Sequence, residues 1–504
     1  MLNLTLMKSI MKKIIQLLGL SLGLLSCTED LDFNHVQNGD TENPVSRAVG
    51  DGAYEALGYG YDITEEYLGE NSVKLTILDI EKFKRENAGR FYNPFVGVMD
   101  QKICAGEDAT SFLHEIMSSG NFKGSIAAMG VKDTAKGFFS GTVTNGFESK
   151  TKYSYSSKYS FARAELLKKQ RRYYLNTDIG TLSKYLSATF LEDLKKYSAD
   201  DIIQMYGTHV LTDITVGGRY TAYYKSVIIK EDNRTEKKKT VEAGLKLNFS
   251  KVGLDTSGTW NRTEIVETSK KNSTWNCTIR ALGGSTSGTT MTLTPEQGPT
   301  ISINLGSWKE SVDDTHSKLI DVDWNKTYPV YDLVSDPVKK AELKAAVNRY
   351  IDSKKITTLK LTPLYALYWP KGVNSHFVTS WTEVVKYLSE GHQYFGVTGY
   401  INKESVSGAK AVYKLYWNYG RNTTYTTSWN DVLTYTKKDH EYQGIIGYIN
   451  DPQALNTIPL YSMYYPAGRD SHHSTVWADV QAWVKNRGDE YDGILGYIYP
   501  YTEE

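Results

Sequence analysis

The histidine and cysteine residues are the side chains of this sequence most capable of chemistry, but their spacing does not favour catalysis. His114-Glu115 lacks the second histidine of an HExxH zinc motif, and the pair His472-His473 lies in a predicted loop. The sequence contains neither a phosphate-binding GxxxxGKS or GxxxxGKT loop nor a GxSxG nucleophile motif. We therefore predict no catalytic residue, no metal ligand and no cofactor, and we do not expect an enzyme.

Cys27 follows a segment with the features of an export signal. Residues 14–25 are mostly apolar, follow two lysines and are too few to cross a bilayer as a helix. The run Leu24-Leu25-Ser26-Cys27 resembles a bacterial lipobox, in which the cysteine is lipidated. We predict a lipoprotein signal peptide over residues 1–27 with lipidation at Cys27. A soluble signal peptide that contains a cysteine is the alternative.

Residues 28–48 are polar and are predicted to form a tether that reaches about 25 Å. Glu29 and Asp30, directly behind the cysteine, resemble the surface-export signal of Bacteroidetes lipoproteins. The predicted location is therefore the outer membrane and cell surface, or secretion, for example in vesicles. No other segment approaches 18 consecutive apolar residues.

The overall composition constrains the partners and the fold class. The 58 basic and 58 acidic residues give a net charge of zero, which argues against a nucleic-acid partner because phosphate binding needs a basic surface. A length of 504 residues predicts two or three domains. The 38 tyrosine and 10 tryptophan residues suit β-rich folds. Cys104 and Cys277 either form a disulfide or remain buried free thiols.

Residues 198–224 contain the most informative pattern. Ser198 is a suitable N-cap for a helix that Gly207 can end. From Val210 onwards apolar residues alternate with polar ones, which predicts a strand interrupted by Gly217-Gly218. A double glycine within a strand is costly unless the strand bulges, bends or admits a close neighbour.

The run Tyr206-Gly207-Thr208-His209, followed at the right distance by Gly217 and Gly218, resembles the signature of the membrane attack complex/perforin (MACPF) family. The family usually has an aromatic residue where this chain has Val210. Lys152–Gln170 resembles the family strand before the signature, and Pro329–Ile351 resembles its closing segment. The resemblance implies an α+β, MACPF/CDC-like domain over residues 49–352, with a bent four-stranded antiparallel sheet and two flanking helical clusters. His209 is interpreted as a structural, hydrogen-bonded histidine.

In pore-forming members of the family, each helical cluster unwinds into a membrane-inserting β-hairpin. The second cluster is expected between a strand ending near Lys230 and another at residues 273–282. Within it, strictly alternating apolar residues have the pattern of a barrel strand, although a half-buried soluble strand gives the same pattern. These membrane-inserting candidates are Val241, Ala243, Leu245, Leu247 and Phe249. The return strand, residues 259–269, is less regular.

The first cluster is expected near residues 121–155. Phe139, Val143 and Phe147 are its membrane-inserting candidates, although Asn145 interrupts their alternation. The many glycine and serine residues of this segment permit refolding without requiring it.

Residues 361–504 contain three repeats of about 48 residues, each predicted to form a strand, a loop, a short helix and a strand. Helices are expected to begin at Trp381, Trp429 and Trp477. We predict a pseudo-threefold, β-rich target-recognition domain that follows a linker at residues 353–360. Its variable loops, residues 374–379, 419–427 and 468–475, supply the receptor-binding candidates His376, Arg421, Tyr425, Arg469, His472 and His473.

The lipobox, the signature and the repeats together resemble the Bacteroidales secreted antimicrobial proteins. That resemblance implies a toxin that oligomerises on a target membrane and permeabilises the outer membrane of related bacteria. Its receptor would be an outer-membrane protein or a surface glycan. The alternative is a non-lytic surface adhesin or glycan-binding lipoprotein. A glycan-processing enzyme is the least favoured reading, because no arrangement of carboxylates supports it.

Overall fold

The computed structural model describes residues 54–120, 122, 137–254, 260–297 and 302–501. The predicted signal peptide, Cys27 and the tether lie outside the described residues. Up to residue 353 the described chain mixes short and long strands with helices. The strands are β1 Tyr59–Tyr61, β2 Val73–Thr76, β3 Phe91–Tyr92, β4 Met99–Gly106, β5 Tyr159–Leu175, β6 His209–Val210, β7 Asp213–Val227, β8 Thr274–Leu282, β9 Thr290–Leu293, β10 Lys318–Val322 and β11 Tyr328–Pro329.

The helices of the same part begin after typical capping residues, each an aspartate, asparagine or serine. Ser198 accepts a hydrogen bond from the Asp201 N–H, and Asp336 accepts bonds from the N–H groups of residues 338 and 339, as the sequence predicts. The helices are α1 Ile80–Glu86, α2 Ala109–Ser119, α3 Ile179–Leu182, α4 Ala188–Lys196, α5 Ala199–Tyr206, α6 Arg234–Lys251, α7 Arg262–Ser269, α8 Leu305–Ser311 and α9 Pro337–Ser353.

Strands β4, β5, β7 and β8 form the antiparallel centre of the main sheet, in that spatial order. The long strand β7 changes partner along its length: β8 pairs with Arg219–Val227, and β10 pairs with Ile214–Gly217. Opposite this change, β5 has a bulge between Lys169 and Arg171. The edge of β7 therefore exchanges one partner strand for another at Gly217 and Gly218.

The two glycines are needed because their neighbours lie too close for a side chain. A Cβ atom on Gly217 would lie 2.0 Å from the Lys168 carbonyl oxygen, and one on Gly218 would lie 2.7 Å from the Trp308 ring. Both glycines have the close neighbours that the pattern predicts, and the bulge lies in the partner strand β5. The predicted interruption of the strand at these glycines is wrong, since β7 continues through them and the break falls at Leu211-Thr212.

The two faces of the central sheet differ in chemistry. One face consists mainly of small and aromatic residues, among them Ala162, Ala164 and Tyr224, and it packs under α6. The other face buries an ion pair between Arg163 and Glu165, whose nearest charged atoms are 2.8 Å apart. Cys104 on β4 and Cys277 on β8 are buried free thiols, separated by β5 and β7. Burial raises the pKa of Cys277 to about 12.

Residues 361–501 form a β-rich part in three successive units: unit 1 (361–402), unit 2 (409–450) and unit 3 (458–498). Each unit contains two strands, a helix and a third strand. The strands are β12 Leu361–Trp369, β13 Asn374–Val378, β14 Gln393–Asn402, β15 Ala409–Trp417, β16 Asn422–Thr426, β17 His440–Asn450, β18 Ile458–Tyr465, β19 Asp470–Ser474 and β20 Glu490–Ile498. The helices are α10 Trp381–Ser389, α11 Trp429–Thr436 and α12 Trp477–Arg487, so they begin at the predicted tryptophans.

The three units share one apolar core. Equivalent residues from their first strands, Leu364, Val412 and Leu460, meet in a single buried cluster with Ile401, Ile449 and Ile498. No unit could bury these side chains by itself, because each contributes only one edge of the cluster.

Candidate functional site

The signature residues connect α5 to the first strand of the domain. The Tyr206 hydroxyl donates a hydrogen bond to Asp193, with the oxygen atoms 2.6 Å apart. Gly207 ends α5 with a φ of 71° and lies so close to Tyr61 that a side chain would collide with the Tyr61 backbone. The Thr208 hydroxyl then accepts a hydrogen bond from the Ile63 N–H. The signature is therefore a packing device in the described chain.

His209 has no exposed surface and hydrogen-bonds through Nδ1 to the Thr208 hydroxyl, at 2.9 Å. Burial lowers its pKa to about 3, so the ring is neutral at physiological pH. A neutral imidazole that is fully enclosed and hydrogen-bonded to Thr208 fits the structural interpretation made from the sequence.

Helix α6 contains the apolar residues that alternate in the sequence. Successive residues of a helix are rotated by about 100°, so residues two apart point in nearly opposite directions. Val241, Leu245 and Phe249 consequently lie on one side of α6, and Ala243 and Leu247 lie on the other. Four of these five side chains have no exposed surface, and Leu247 is half-buried. Residues 241–249, whose apolar residues alternate as in a strand, thus form a helix that is buried on several sides.

The polar residues between them find partners on the same helix. Lys246 forms an ion pair with Glu242 at 2.9 Å, and the Asn248 amide donates to the Gly244 carbonyl at 2.8 Å. Gly244 itself permits close packing, because a Cβ atom there would lie 2.4 Å from the Tyr224 hydroxyl. These bonds stay within α6, so its attachment to the sheet over residues 241–249 is mainly apolar.

Helices α6 and α7 lie between β7 and β8, where the second helical cluster is expected, and they pack against each other. Residues 262–269 of the expected return strand are thus helical in this structure, because the Asn261 side chain caps α7 by accepting a hydrogen bond from the Glu264 N–H. The alternative interpretation of the Val241–Phe249 alternation as a soluble half-buried strand is wrong, since the segment is helical.

The first candidate region is described only in part, so its expected helical cluster stays a prediction. The principal described helix near it is α2, which precedes the expected range of 121–155. Residues 142–146 form a single π-helical turn, and residues 123–136 lie outside the described part. Phe139, Val143 and Phe147 are buried in the main core, where Phe147 packs edge-on against Phe161 and Tyr223. The family-like strand β5 begins at Tyr159 rather than Lys152, because residues 152–155 form turns.

Four of the six receptor-binding candidates of the repeat part lie on strands rather than in the predicted loops. His376, Tyr425, His472 and His473 lie on the hairpin strands β13, β16 and β19. His376 and Tyr425 are buried, and burial lowers the pKa of both His376 and His473 to about 3. Arg421 and Arg469 are exposed and occupy left-handed turn positions, each with a φ of 53°. The predicted loops are short because the hairpins pair almost to their turns.

Equivalent residues of the three hairpins form a closed ring of hydrogen bonds. Asn374 accepts from the Thr423 N–H at 3.0 Å, and Asn422 accepts from the Ser471 N–H at 3.1 Å. Asp470 completes the ring by accepting from the Ser375 N–H at 3.0 Å. Asp470 has no exposed surface, and burial raises its pKa to about 6. The ring fixes the three hairpins to one another.

A cleft of about 830 Å³ lies between unit 1 and unit 3. Its walls combine aromatic rings with charged groups, and its lining includes Tyr368, Phe395, Tyr465, Trp483, Asp470 and Arg487. Arg487 forms two hydrogen bonds with Asp489, at 2.7 and 2.6 Å. Such a lining can stack planar or ring-shaped ligands and bond their polar edges.

A second contact region links the repeat part to the segment that precedes α6. The Asp232 carboxylate accepts hydrogen bonds from the first turn of α10, and the Tyr365 hydroxyl donates to the Ile229 carbonyl at 2.5 Å. Nearby, Lys360 pairs with Asp108, the N-cap of α2, at 3.0 Å. The sequence gives no signal for Asp232, because nothing in its surroundings marks a lone aspartate as a long-range partner.

The chain belongs to the MAC/Perforin domain family, since the model of that family matches residues 43–360. It therefore belongs to a superfamily that includes pore-forming proteins. The model of a domain of unknown function, DUF5648, matches residues 363–499. No curated protein matches the chain.

The solved structures that are similar to this chain include the two that follow. A protein with a MAC/Perforin domain from Bacteroides thetaiotaomicron is 16% identical, with a TM-score of 0.49 over 68% of this chain and 76% of that one. GNIP1Aa from Chromobacterium piscinae is also 16% identical, with a TM-score of 0.44 over 74% of this chain and 66% of that one.

Two further findings concern the described residues. None of their helices combines the length and the apolar character needed to cross a bilayer. No three histidine, cysteine, aspartate or glutamate side chains in this part of the chain are grouped as metal ligands would be.

Proposed function

We propose that this chain is an exported lipoprotein toxin that oligomerises on the outer membrane of related bacteria and perforates it. Membership of the MAC/Perforin family supports membrane action and oligomerisation in general. The lipobox-like run that ends at Cys27 supports export and lipid attachment. The proposed anchor, the tether and the domain limits of 49–352, 353–360 and 361–504 follow from the sequence patterns.

Helix α6 is the observation that carries the proposal. A transmembrane β-strand needs about 9–11 residues with one apolar side, and every backbone group must be paired in a closed barrel. Residues 241–249 have that alternation, and α6 lies between the neighbouring sheet strands β7 and β8. Extension of β7 and β8 into a hairpin would place Val241, Leu245 and Leu247 on the same side, which the helix does not.

The repeat part is proposed to select the target. We infer that its three units are arranged around a pseudo-threefold axis, which the ring through Asn374, Asn422 and Asp470 supports. The cleft between units 1 and 3 offers aromatic and charged groups to a receptor, either an outer-membrane protein or a surface glycan.

Cross-linking α6 to the sheet tests the proposal. Cysteines are introduced in turn at Val241, Leu245 and Phe249, which share a buried cluster with the native Cys277. In the variant whose bridge to Cys277 is verified by mass spectrometry, dye release from liposomes of outer-membrane lipids should be lost in oxidising buffer and restored by reductant. Release should persist in both buffers when Cys277→Ser is added as the matched control.

A bridged protein that still releases dye would show that α6 does not insert. Reduced protein that binds susceptible cells without any leakage or ring-shaped oligomers by electron microscopy would support the non-lytic alternative instead.

A further inference from the structure

Unit 1 holds a segment of the protein's own chain on a cluster that we call the aromatic triad, formed by Tyr365, Trp381 and Tyr394. The ring centroids of the triad are 5.8, 5.6 and 6.3 Å apart. Ile229 packs against the buried cluster that contains Tyr365, as Trp381 and Tyr394 do, and its carbonyl accepts the bond from the Tyr365 hydroxyl. The amine of the next residue, Lys230, lies 5.8 Å from the centroid of the Trp381 ring. The triad therefore already acts as a binding surface for an extended peptide segment.

The same segment ends in a carboxylate that caps α10. Asp232 accepts hydrogen bonds from the N–H groups of Trp381 and Thr382, at 2.9 and 2.7 Å. It also accepts from the hydroxyls of Ser380 and Thr382, at 2.9 and 2.8 Å. The N-terminus of a helix favours a negative charge, so this contact recognises an anion by both charge and geometry.

Units 2 and 3 repeat the triad, and no segment among the described residues occupies their triads as Ile229 and Asp232 occupy unit 1. In unit 2, Tyr413, Trp429 and Tyr442 have centroids 5.3, 5.7 and 6.2 Å apart. In unit 3, the spacings of Tyr461, Trp477 and Tyr491 are 5.1, 5.4 and 6.4 Å. Trp429 is 49% exposed and Trp477 is 45% exposed, whereas the equivalent Trp381 of unit 1 is half-buried. Each of these triads stands at the start of a helix, α11 or α12.

We propose that the triads of units 2 and 3 bind extended segments of a partner protein in which an apolar residue is followed three positions later by aspartate or glutamate. Ile229 and Asp232 define this spacing in unit 1. The apolar residue would pack on the triad, and the carboxylate would accept the N–H groups of the first helical turn. This proposal adds a ligand class to the target-recognition role proposed for the repeat part. Its biological meaning rests on that role, but the peptide binding itself does not.

Unit 2 should bind more tightly than unit 3. Ser428 in unit 2 is the equivalent of Ser380, whose hydroxyl donates to Asp232, and Asn430 stands in place of Thr382. Unit 3 has Val476 at the capping position, and no side chain caps α12. Ala478 stands in place of Thr382, so unit 3 lacks both hydroxyl donors that the carboxylate uses in unit 1.

A peptide copied from residues 227–233 of this chain, Val-Ile-Ile-Lys-Glu-Asp-Asn, is the probe. Its fluorescein-labelled form is titrated with the full-length protein, and binding is followed by fluorescence polarisation without any membrane. We expect saturable binding that Trp429→Ala reduces more than Trp477→Ala and that the double variant abolishes. Replacing the aspartate of the peptide by asparagine should weaken binding about tenfold. Tyr419→Ala, at an aromatic residue outside the triads that is 78% exposed, is the matched control and should leave binding unchanged.

Absence of saturable binding, or equal binding by the double variant, overturns the proposal. Sedimentation of the full-length protein tests whether the triads of units 2 and 3 bind a second copy of the chain instead. If the protein self-associates and Asp232→Asn abolishes the association, the triads serve copies of this chain and the partner-protein proposal is wrong. Failure of any of these outcomes leaves the liposome experiment unaffected, so the two proposals can fail separately.

Discussion

Helix α6 and the hairpin strands β13, β16 and β19 are buried in opposite ways. The alternating apolar residues of α6 are held by apolar contact with the sheet. The polar residues between them form their hydrogen bonds and ion pair within the helix. The hairpin strands are held to one another by directional bonds from Asn374, Asn422 and Asp470. Apolar contact has no required direction, so a segment held by it can leave as a unit, whereas a ring of directional bonds must break.

The comparison separates a segment suited to refolding from a segment suited to staying in place. The most direct test of this difference is a charged substitution on α6 that the soluble helix tolerates and the membrane does not. Leu247 is half-buried in α6, where a lysine can extend its amine to water. In a barrel strand the same residue faces lipid, at a cost of about 2–4 kcal/mol near the midplane.

We therefore expect Leu247→Lys to keep the thermal stability of the soluble protein and to lower dye release from liposomes about 30-fold or more. Ser250→Lys is the matched control: residue 250 is exposed on α6 and falls on the lumen side of the strand. Equal release by both variants would contradict insertion of residues 241–249.

The ring of directional hydrogen bonds between the hairpins is tested at Asn422. Its side chain is 4% exposed, and its loss leaves the Ser471 N–H buried without its acceptor. We expect Asn422→Ala to lower the free energy of unfolding by about 1–3 kcal/mol, measured by denaturant titration. Asn430→Ala, at an exposed residue of the same unit, should change it by less than about 0.5 kcal/mol. Equal effects would mean that the ring does not hold the hairpins.

Asp470 sharpens the same test through pH. Its pKa is raised from 3.8 to about 6 by burial, so the folded protein disfavours the ionised form. Stability should consequently fall as pH rises from about 4 through 6, because the unfolded chain ionises first. Asp470→Asn removes that loss and gives the ring a third amide. We expect it to raise the free energy of unfolding by about 1–2 kcal/mol above pH 6 and to have no such effect below pH 4. A gain that is independent of pH would contradict burial of the charge.

Much of the core architecture could be predicted from the sequence because local signals agreed with packing. Ser198 and Gly207 bound α5, Gly217 and Gly218 mark the bulge, and the repeated tryptophans start the three helices. In each case a residue type has one physical use at that position: a capping oxygen, a missing side chain or a large apolar anchor.

The candidate sites were harder to predict because distant partners decide them. The alternation from Val241 to Phe249 predicts a strand, but a covered helix buries the same residues equally well. The sequence of residues 374–379 suggests a loop, but residues 49 and 95 positions away supply hydrogen-bond partners for it. Asp232 gives no local signal, since its importance lies in the first turn of α10, about 150 residues further along.

The attachment of Asp232 to unit 1 makes two events thermodynamically reciprocal. Any partner that displaces Ile229 and Asp232 from the triad of unit 1 removes a tether at the start of α6 and so favours its departure. By the same linkage, departure of α6 into a lipid phase would vacate unit 1 and raise its affinity for that partner by the same factor. Binding of the partner at unit 1 and insertion of α6 into the membrane would then favour each other within one molecule.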